Sequence, residues 1–472
     1  MKISFSRFWK LFLICSAVFI GILLAGPLLG LFQPLTGKQL LMAFFVPVSF
    51  LLLGTLPFKL PTRIVLGLAL GTLGGILIGP DMSLIAPLGT IFIRLIFMVI
   101  VPLVFASLVV GTQSLGDIRK MGRIGFRTVA FYTVYTIVGA TIGLTLANHF
   151  KPGVGLTEET QQALLESYSQ TAENKVATVA KPSLTDTLVN IVPKNIITGM
   201  SSDPPEMLQI VFFAIFVGVA LTLIPDERRK PVVALLEGIF DVMLAIVNIV
   251  IKIAPYAVFA LIADVVGQFG LELLFMLAKY TLITLGGLAF LWLTYIPLTY
   301  FFTNLNITGF IRGIWPVMGI AFSTSSSAAT LPIMMDTCQK RLGVSETISS
   351  FVLPLSITIN MNGTALYHGV SAVFIAQVYG IPLTLVDQIM VVLIATLAAI
   401  GGAGVPGSAF MMLVMVLTQI GVPLEGLALV LGVERILDMA RTTVNIMGDS
   451  TAAVILAKAE GELNPPPELI KK

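Results

Sequence analysis

Apolar residues recur along this chain in uncharged runs of membrane-spanning length. Such runs occupy 11–37, 39–58, 64–80, 95–116, 128–150 and 207–225, and longer, less uniform ones follow at 233–266 and 271–303. A spanning helix needs about 20 apolar residues, so these predict eight conventional transmembrane helices. The C-terminal part differs. Residues 313–335, 347–386, 388–424 and 426–457 are apolar but interrupted by "STSSSAATLP" (323–332), "INMNG" (359–363) and "GGAGVPG" (401–407).

Composition supports a membrane reading. The 472 residues are 56% hydrophobic and 11% charged, where a soluble protein carries roughly 25% charge. The net charge of +3 is too small to suggest nucleic acid. Cys15 and Cys338 fit neither a metal site nor a disulfide framework. Residues 1–10 are basic and an apolar run follows without a cleavage site, which reads as a signal anchor. The loops 1–10, 59–63, 117–127 and 225–230 are basic, and those between them carry little positive charge. The positive-inside rule then places the N-terminus in the cytoplasm of a multi-pass protein and the polar loop 151–206 outside.

Non-helical chain at membrane depth persists only inside protein or beside water. The breaks at 323–332 and 401–407 therefore predict two re-entrant hairpins, 306–338 and 383–421. The units 271–338 and 345–457 read as two crude copies of helix–hairpin–helix, a pattern that points to a transporter's binding site. The alternative is that Gly and Ser only let helices pack closely. The last segment adds Glu434, Asp438, Arg441, Asn445 and Asp449 at spacings of 4, 3, 4 and 4. On a helix they share an arc of about 80°. Each ionisable group costs roughly 2.5–3.5 kcal/mol at the bilayer centre, so the stripe must face protein or a water-filled cavity. It is an ion-pair network or a site. Three carboxylates against Arg441 suit a metal ion or an ammonium group, and Arg441 offers a fork for a carboxylate. An acidic amino acid satisfies both.

These residues resemble the glutamate transporter family, the dicarboxylate/amino acid:cation symporters. "TSSSAATLP" (324–332), "TINMNGTALY" (358–367), "GAGVPG" (402–407) and "LDMARTTVNIMGD" (437–449) carry the resemblance, with weaker matches at 101–111 and 122–136. It runs from about residue 62 to 463. It implies an all-α integral membrane protein: eight family helices and two re-entrant hairpins with inverted repeats, in an elevator-type homotrimer. Residues 1–61 would add two N-terminal helices. Residues 62–116 and 207–266 would form the scaffold. Residues 117–150 and 267–463 would form the transport domain, and 464–472 a cytoplasmic tail. The implied activity is secondary symport of L-aspartate or L-glutamate with Na⁺, H⁺ or both, across a cell inner membrane and among its lipids.

By the same resemblance, Arg441 clamps the substrate side-chain carboxylate with Thr364, and Asp438 receives the amino group. Thr442 and Asn445 complete the pocket. Backbone near Ser326 and Ser327, and near Gly404 and Val405, grips the α-carboxylate. Asn360, Asn445 and Asp449 form one sodium site; Ser356, Thr358, Ala399, Ile400 and Gly402 surround a second. Hard oxygen donors suit a small hard cation.

The departures are informative. The family's NMDGT reads NMNGT, so Asn362 replaces the aspartate of a third sodium site. Tyr132 and Thr136 are its candidate partners, and Tyr135 stands where a smaller hydroxyl residue is usual. That site is expected to be absent or weak. His368 occupies a position where proton-coupled relatives carry a titratable glutamate. It is either a proton carrier or a neutral packing histidine. Ser325 and Met439 stand where relatives carry an arginine, Ala328 replaces a hairpin serine, Glu434 replaces an aspartate, and Arg435 is unusual. C4-dicarboxylate or neutral amino-acid transport, and a substrate-gated anion channel or sensor on the same fold, remain alternatives. A hydrolase built on Ser325, Ser326 and Ser327 lacks a nearby base in the motif.

Overall fold

A computed structural model describes residues 37–58, 60–116, 122–156, 192–202, 205–270, 272–303, 305–400 and 407–470. Nearly all of the expected signal anchor at 11–37, the core of the loop 151–206 and residues 401–406 lie outside them. The described chain is helical and contains no named strand; its β-type pairing is limited to two isolated bridges, Leu305 with Ile470 and Val344 with Leu463. Five described helical stretches are long and apolar enough to cross a membrane: Gly37–Thr55, Thr62–Gln113, Arg123–Phe150, Asp226–Gln268 and Glu272–Phe302. The 64–80 run and most of the 95–116 run fall within one of these stretches, because a 3₁₀ segment at Gly79–Ile85 continues the coil between them.

The chain divides into two compact units, residues 1–92 with 252–273 and residues 93–251 with 274–472. In the first unit, helices α1 (Gly37–Thr55) and α2 (Leu60–Ile78) pack with a third, Ala254–Phe269. Its core holds Leu53, Ile78, Met82, Phe259 and Ala263. Gly67, Gly71 and Gly75 recur every four residues on α2. A Cβ at Gly67 or Gly71 would stand 2.4 Å or 2.6 Å from the carbonyl oxygens of Pro255 or Phe259. Small residues at this spacing let two membrane helices touch backbone to backbone.

The second unit begins within α3 (Ala86–Gly116) and includes α4 (Arg123–Phe150), α5 (Ile196–Ser201), α6 (Met207–Leu221) and α7 (Asp226–Val250). The Ala254–Phe269 helix is α8. Then follow α9 (Glu272–Phe302), α10 (Ile307–Thr324), α11 (Ser327–Lys340), α12 (Glu346–Ile359), α13 (Asn362–Val378), α14 (Leu385–Ile400), α15 (Ser408–Gln419) and α16 (Leu427–Glu460). The long 233–266 run is thus two helices, with Pro255 opening the second after a 3₁₀ turn.

The first two interruptions are helix breaks, and the third falls between two described helices. α10 ends where Ser325 turns left-handed at φ 53°, and Ser326 Oγ caps α11 by accepting from Ala329 N at 3.2 Å. α12 ends at Asn360, with Met361 also outside helical geometry, before α13 restarts. α14 stops at Ile400, and Gly407 sits at φ 79° before α15.

α13 is buried along almost its whole length. α4 reaches it through Gly139 and Gly143, where a Cβ would lie 2.5 Å from Asn362 O and 2.2 Å from Leu366 O. Gly143→Ala is therefore expected to force the two backbones apart at a cost of about 1–3 kcal/mol. Thermal denaturation of the variant measures it; an unchanged melting temperature would remove Gly143 from this packing role.

At one end of the unit, Glu460 accepts from Arg123 at 2.5 Å and from Arg127 at 2.7 Å. The chain after α16 then runs back over earlier loops, with Asn464 N donating to Gly343 O and Asn306 N to Leu469 O, both at 2.7 Å.

Candidate functional site

The polar stripe of α16 is buried: Glu434, Asp438, Arg441, Thr442, Asn445 and Asp449 are each at most 7% exposed. Arg441 is the largest of the almost completely buried side chains, at 1%. Its Nη2 donates to Glu434 Oε1 at 2.5 Å and to Asp438 Oδ1 at 2.9 Å. Its guanidinium carbon lies 4.4 Å from the centroid of the Tyr367 ring, which supplies a cation–π face. Its other terminal nitrogen, Nη1, is buried and has no hydrogen-bond partner among the described residues. An unmet charged donor at this depth is costly, and an incoming carboxylate would satisfy it.

Asp438 is crowded. Its Oδ2 accepts from Arg435 Nη1 at 3.3 Å and from the backbone N of Gly407 at 3.1 Å. The four side chains Glu434, Arg435, Asp438 and Arg441 thus form a linked, formally neutral group. The sequence permits an ion pair or a ligand site here. The structure contains the ion pairs and keeps one arginine donor free beside them.

One turn further along α16 lies an amide cluster. Asn445 Oδ1 accepts from Gly363 N at 2.8 Å, holding the first turn of α13 against α16. Gly363 is required there: a Cβ would sit 2.9 Å from Arg441 O. Asn360 Nδ2 donates to Asp449 Oδ1 and, at 3.3 Å, to Asn445 O. Asn360, Asn445 and Asp449, expected to share a cation site, are therefore brought together. Asp449 Oδ2 has no hydrogen-bond partner among the described residues, so this donor set retains a carboxylate oxygen to offer a cation. Among the described residues no group of three or more His, Cys, Asp or Glu could hold a metal ion. A cation here would use one carboxylate with amide and carbonyl oxygens, the ligands of a hard ion.

Asn362 points elsewhere than to the α4 residues named as its candidate partners. Its Nδ2 donates to Tyr295 Oη and to Asn360 Oδ1, the latter at 2.8 Å. Thr136 spends its hydroxyl on Tyr132 O at 2.8 Å, within α4. Tyr135 stacks on Tyr295 with ring centroids 4.9 Å apart, and Tyr132 is fully buried nearby on α4. Gly448 leaves room for this cluster, since a Cβ there would meet Tyr295 Oη, Asn360 Nδ2 and Asn362 Nδ2 within 3.0 Å. The sequence reading missed Tyr295. It sits in an apolar run with no polar periodicity, and only the packing of α9 on α4 and α13 reveals it.

His368 is fully buried, and its Nε2 lies 2.8 Å from Ala409 O on α15. A carbonyl oxygen only accepts, so Nε2 carries the proton and Nδ1 is the free acceptor, without a partner among the described residues. His368 thus faces α15, whereas Asn360 bonds to α16. Thr364 lies buried in the first turn of α13, and Thr442 donates its hydroxyl to Asp438 O at 2.8 Å. Ser326 and Ser327 are buried at the start of α11, and the Ser325 hydroxyl beside them has no partner among the described residues. Ser356 donates to Leu353 O at 2.7 Å, and Ala399 is buried near the end of α14. Thr358 and Ile400 occupy the last turns of α12 and α14. Gly402, Gly404 and Val405 lie outside the described residues.

Relatives align in sequence with most of this chain. A proton/sodium-glutamate symport protein from Bacillus caldotenax is 37% identical over 406 residues, 85% of this chain and 94% of its own length. A proton/glutamate-aspartate symporter from Escherichia coli is 37% identical over 378 residues, 80% of this chain and 86% of its own. A C4-dicarboxylate transport protein from Bacillus subtilis is 32% identical over 412 residues, 86% and 94%. The family description "Sodium:dicarboxylate symporter family" matches residues 60–459, an interval that contains every residue of the site. The chain belongs to the sodium:dicarboxylate symporter family.

Proposed function

We propose that the protein is a cation-coupled symporter of acidic amino acids, L-glutamate and L-aspartate, and not an enzyme. The buried Arg441, with Nη1 unmet and Asp438 beside it, is the observation that carries this reading. A dicarboxylic amino acid brings a carboxylate for Nη1 and an ammonium for Asp438. The names of the relatives fit this substrate class. Uptake of radiolabelled glutamate and aspartate into proteoliposomes tests it. Concentrative uptake driven by an imposed Na⁺ or proton gradient is expected, and dissipation of the gradient should release the solute. A channel or sensor would equilibrate solute or move none. Labelled succinate transported in preference to either amino acid would favour the dicarboxylate alternative, which one relative's name suggests.

The coupling ions follow from the cluster around Asp449. Asp449, Asn360 and Asn445 form the cation site on this reading. Asn362 bonded to Tyr295 leaves the third sodium site without a carboxylate. The helix pairs α10–α11 and α14–α15 are read as the two re-entrant hairpins of an elevator-type transport domain within a homotrimer. The basic loops support a cytoplasmic N-terminus in an inner-membrane protein. His368 is the candidate proton carrier, because Nδ1 is an acceptor with no described partner. His368→Gln is expected to abolish proton-driven uptake while leaving Na⁺-driven uptake within a factor of about three. Equal proton drive in the variant and the parent would make His368 a packing residue.

A further inference from the structure

A surface cavity of about 430 Å³ opens at the start of α10, well apart from the α16 stripe in sequence. Arg312, Lys340 and Arg341 line it, with Asn306 and Thr308 at the first turn of the helix. Lys340 is paired with Asp336 at 2.5 Å. Arg312 and Arg341 have no ion pair among the described residues, so two guanidinium groups face one concave surface. The cavity is a built feature. Gly309 and Gly313 admit the side chains of Leu469 and Leu342 against α10, where added Cβ atoms would lie 2.3 Å and 2.9 Å from them. The backbone bond from Asn306 N to Leu469 O closes the same end.

Two arginines without partners call for an anion, and guanidinium geometry matches phosphate oxygens. The surroundings narrow the choice. α9 ends beside this point in Tyr300, Phe301 and Phe302, which are 49%, 76% and 63% exposed. Exposed aromatics at a helix end mark the membrane–water boundary. On α10 the exposed positions Thr308, Arg312, Trp315, Gly319 and Phe322 recur every three or four residues along one face. That face is polar at its start and apolar beyond Arg312, with Trp315 67% exposed. A ligand with a phosphate at one end and hydrocarbon at the other complements both parts. The alternation of basic loops assigns this end of α9 to the cytoplasmic side, where anionic headgroups attract clustered Lys and Arg.

We infer that the cavity formed by Arg312, Lys340 and Arg341 binds the phosphodiester headgroup of an anionic phospholipid, whose acyl chain lies along Trp315 and Phe322. The test is thermal melting of the full-length purified protein in neutral detergent. Phosphatidylglycerol, phosphatidylcholine and inorganic phosphate are added separately at equal concentration. Phosphatidylglycerol is expected to raise the melting temperature by several degrees, as binding to the folded state alone requires. Phosphatidylcholine and inorganic phosphate should leave it unchanged. The exposed pair Arg312→Gln with Arg341→Gln should keep the lipid-free melting temperature and lose the shift, and the Lys pair at the same positions should retain part of it. Equal shifts with the two lipids, or a shift that survives the Gln pair, would overturn the site. An equal response to inorganic phosphate would make it a site for a soluble anion and overturn the lipid assignment. Should the Gln pair fail to fold, a Lys pair with the full parental shift together with equal shifts from both lipids would likewise reject it.

Discussion

Arg441→Met is expected to abolish uptake of both acidic amino acids and to destabilise the fold by about 3–5 kcal/mol. The two losses have different causes. Nη1 is the unmet buried donor available to a substrate carboxylate, so transport goes with it. Nη2 holds Glu434 and Asp438, and its removal leaves the buried group one negative charge in excess. Adding Glu434→Gln to Arg441→Met restores formal neutrality, leaving Asp438 with Arg435. The double variant is therefore expected to recover most of the melting temperature and none of the uptake. Denaturation and proteoliposome uptake read the two effects separately. A double variant as unstable as the single one would show that the ion pairs do not control stability. Acidic amino-acid uptake by either variant would remove Arg441 from the binding role.

Asp449→Asn should be the second large effect. Asp449 is the carboxylate of a cluster otherwise made of Asn360, Asn362, Asn445 and Tyr295. Asparagine is close in size and keeps an oxygen for Asn360 Nδ2, so the fold is expected to persist. The unpartnered carboxylate oxygen Oδ2 is lost. Cation-driven uptake should fall at least about tenfold, equivalent to roughly 1.4 kcal/mol. If Na⁺ raises the melting temperature of the parent, that shift should vanish in the variant. A variant that kept both the drive and the Na⁺ shift would place the coupling cation elsewhere.

Local sequence carried much of this fold. Uncharged runs located α1, α2, α4, α6 and α9, because a membrane helix must be apolar over its length. Ser325 and Asn360 marked helix breaks and Gly407 the start of α15, because left-handed or non-helical backbone is written in Ser, Asn and Gly. The 4, 3, 4, 4 spacing put Glu434 through Asp449 on one face of α16, since helix periodicity alone dictates it. The motifs gave the family, and the matches over residues 60–459 bear that out.

Partnership required tertiary structure. The sequence offered Asn362 to α4, but the fold hands it to Tyr295 on α9, a residue that shares no local pattern with it. The sequence left His368 as a proton carrier or a packing histidine, and only the fold shows its Nε2 meeting Ala409 O on α15. The charges of α16 implied a site or an ion-pair network; only their distances show a neutral linked group with one arginine donor left over. The sequence by itself determined most of the apolar helices, the breaks at Ser325 and Asn360 and which face of α16 is polar, because each depends on neighbours within a few residues. The tertiary structure alone decided which polar atoms meet and which stay unmet, because that depends on contacts between helices far apart in the chain.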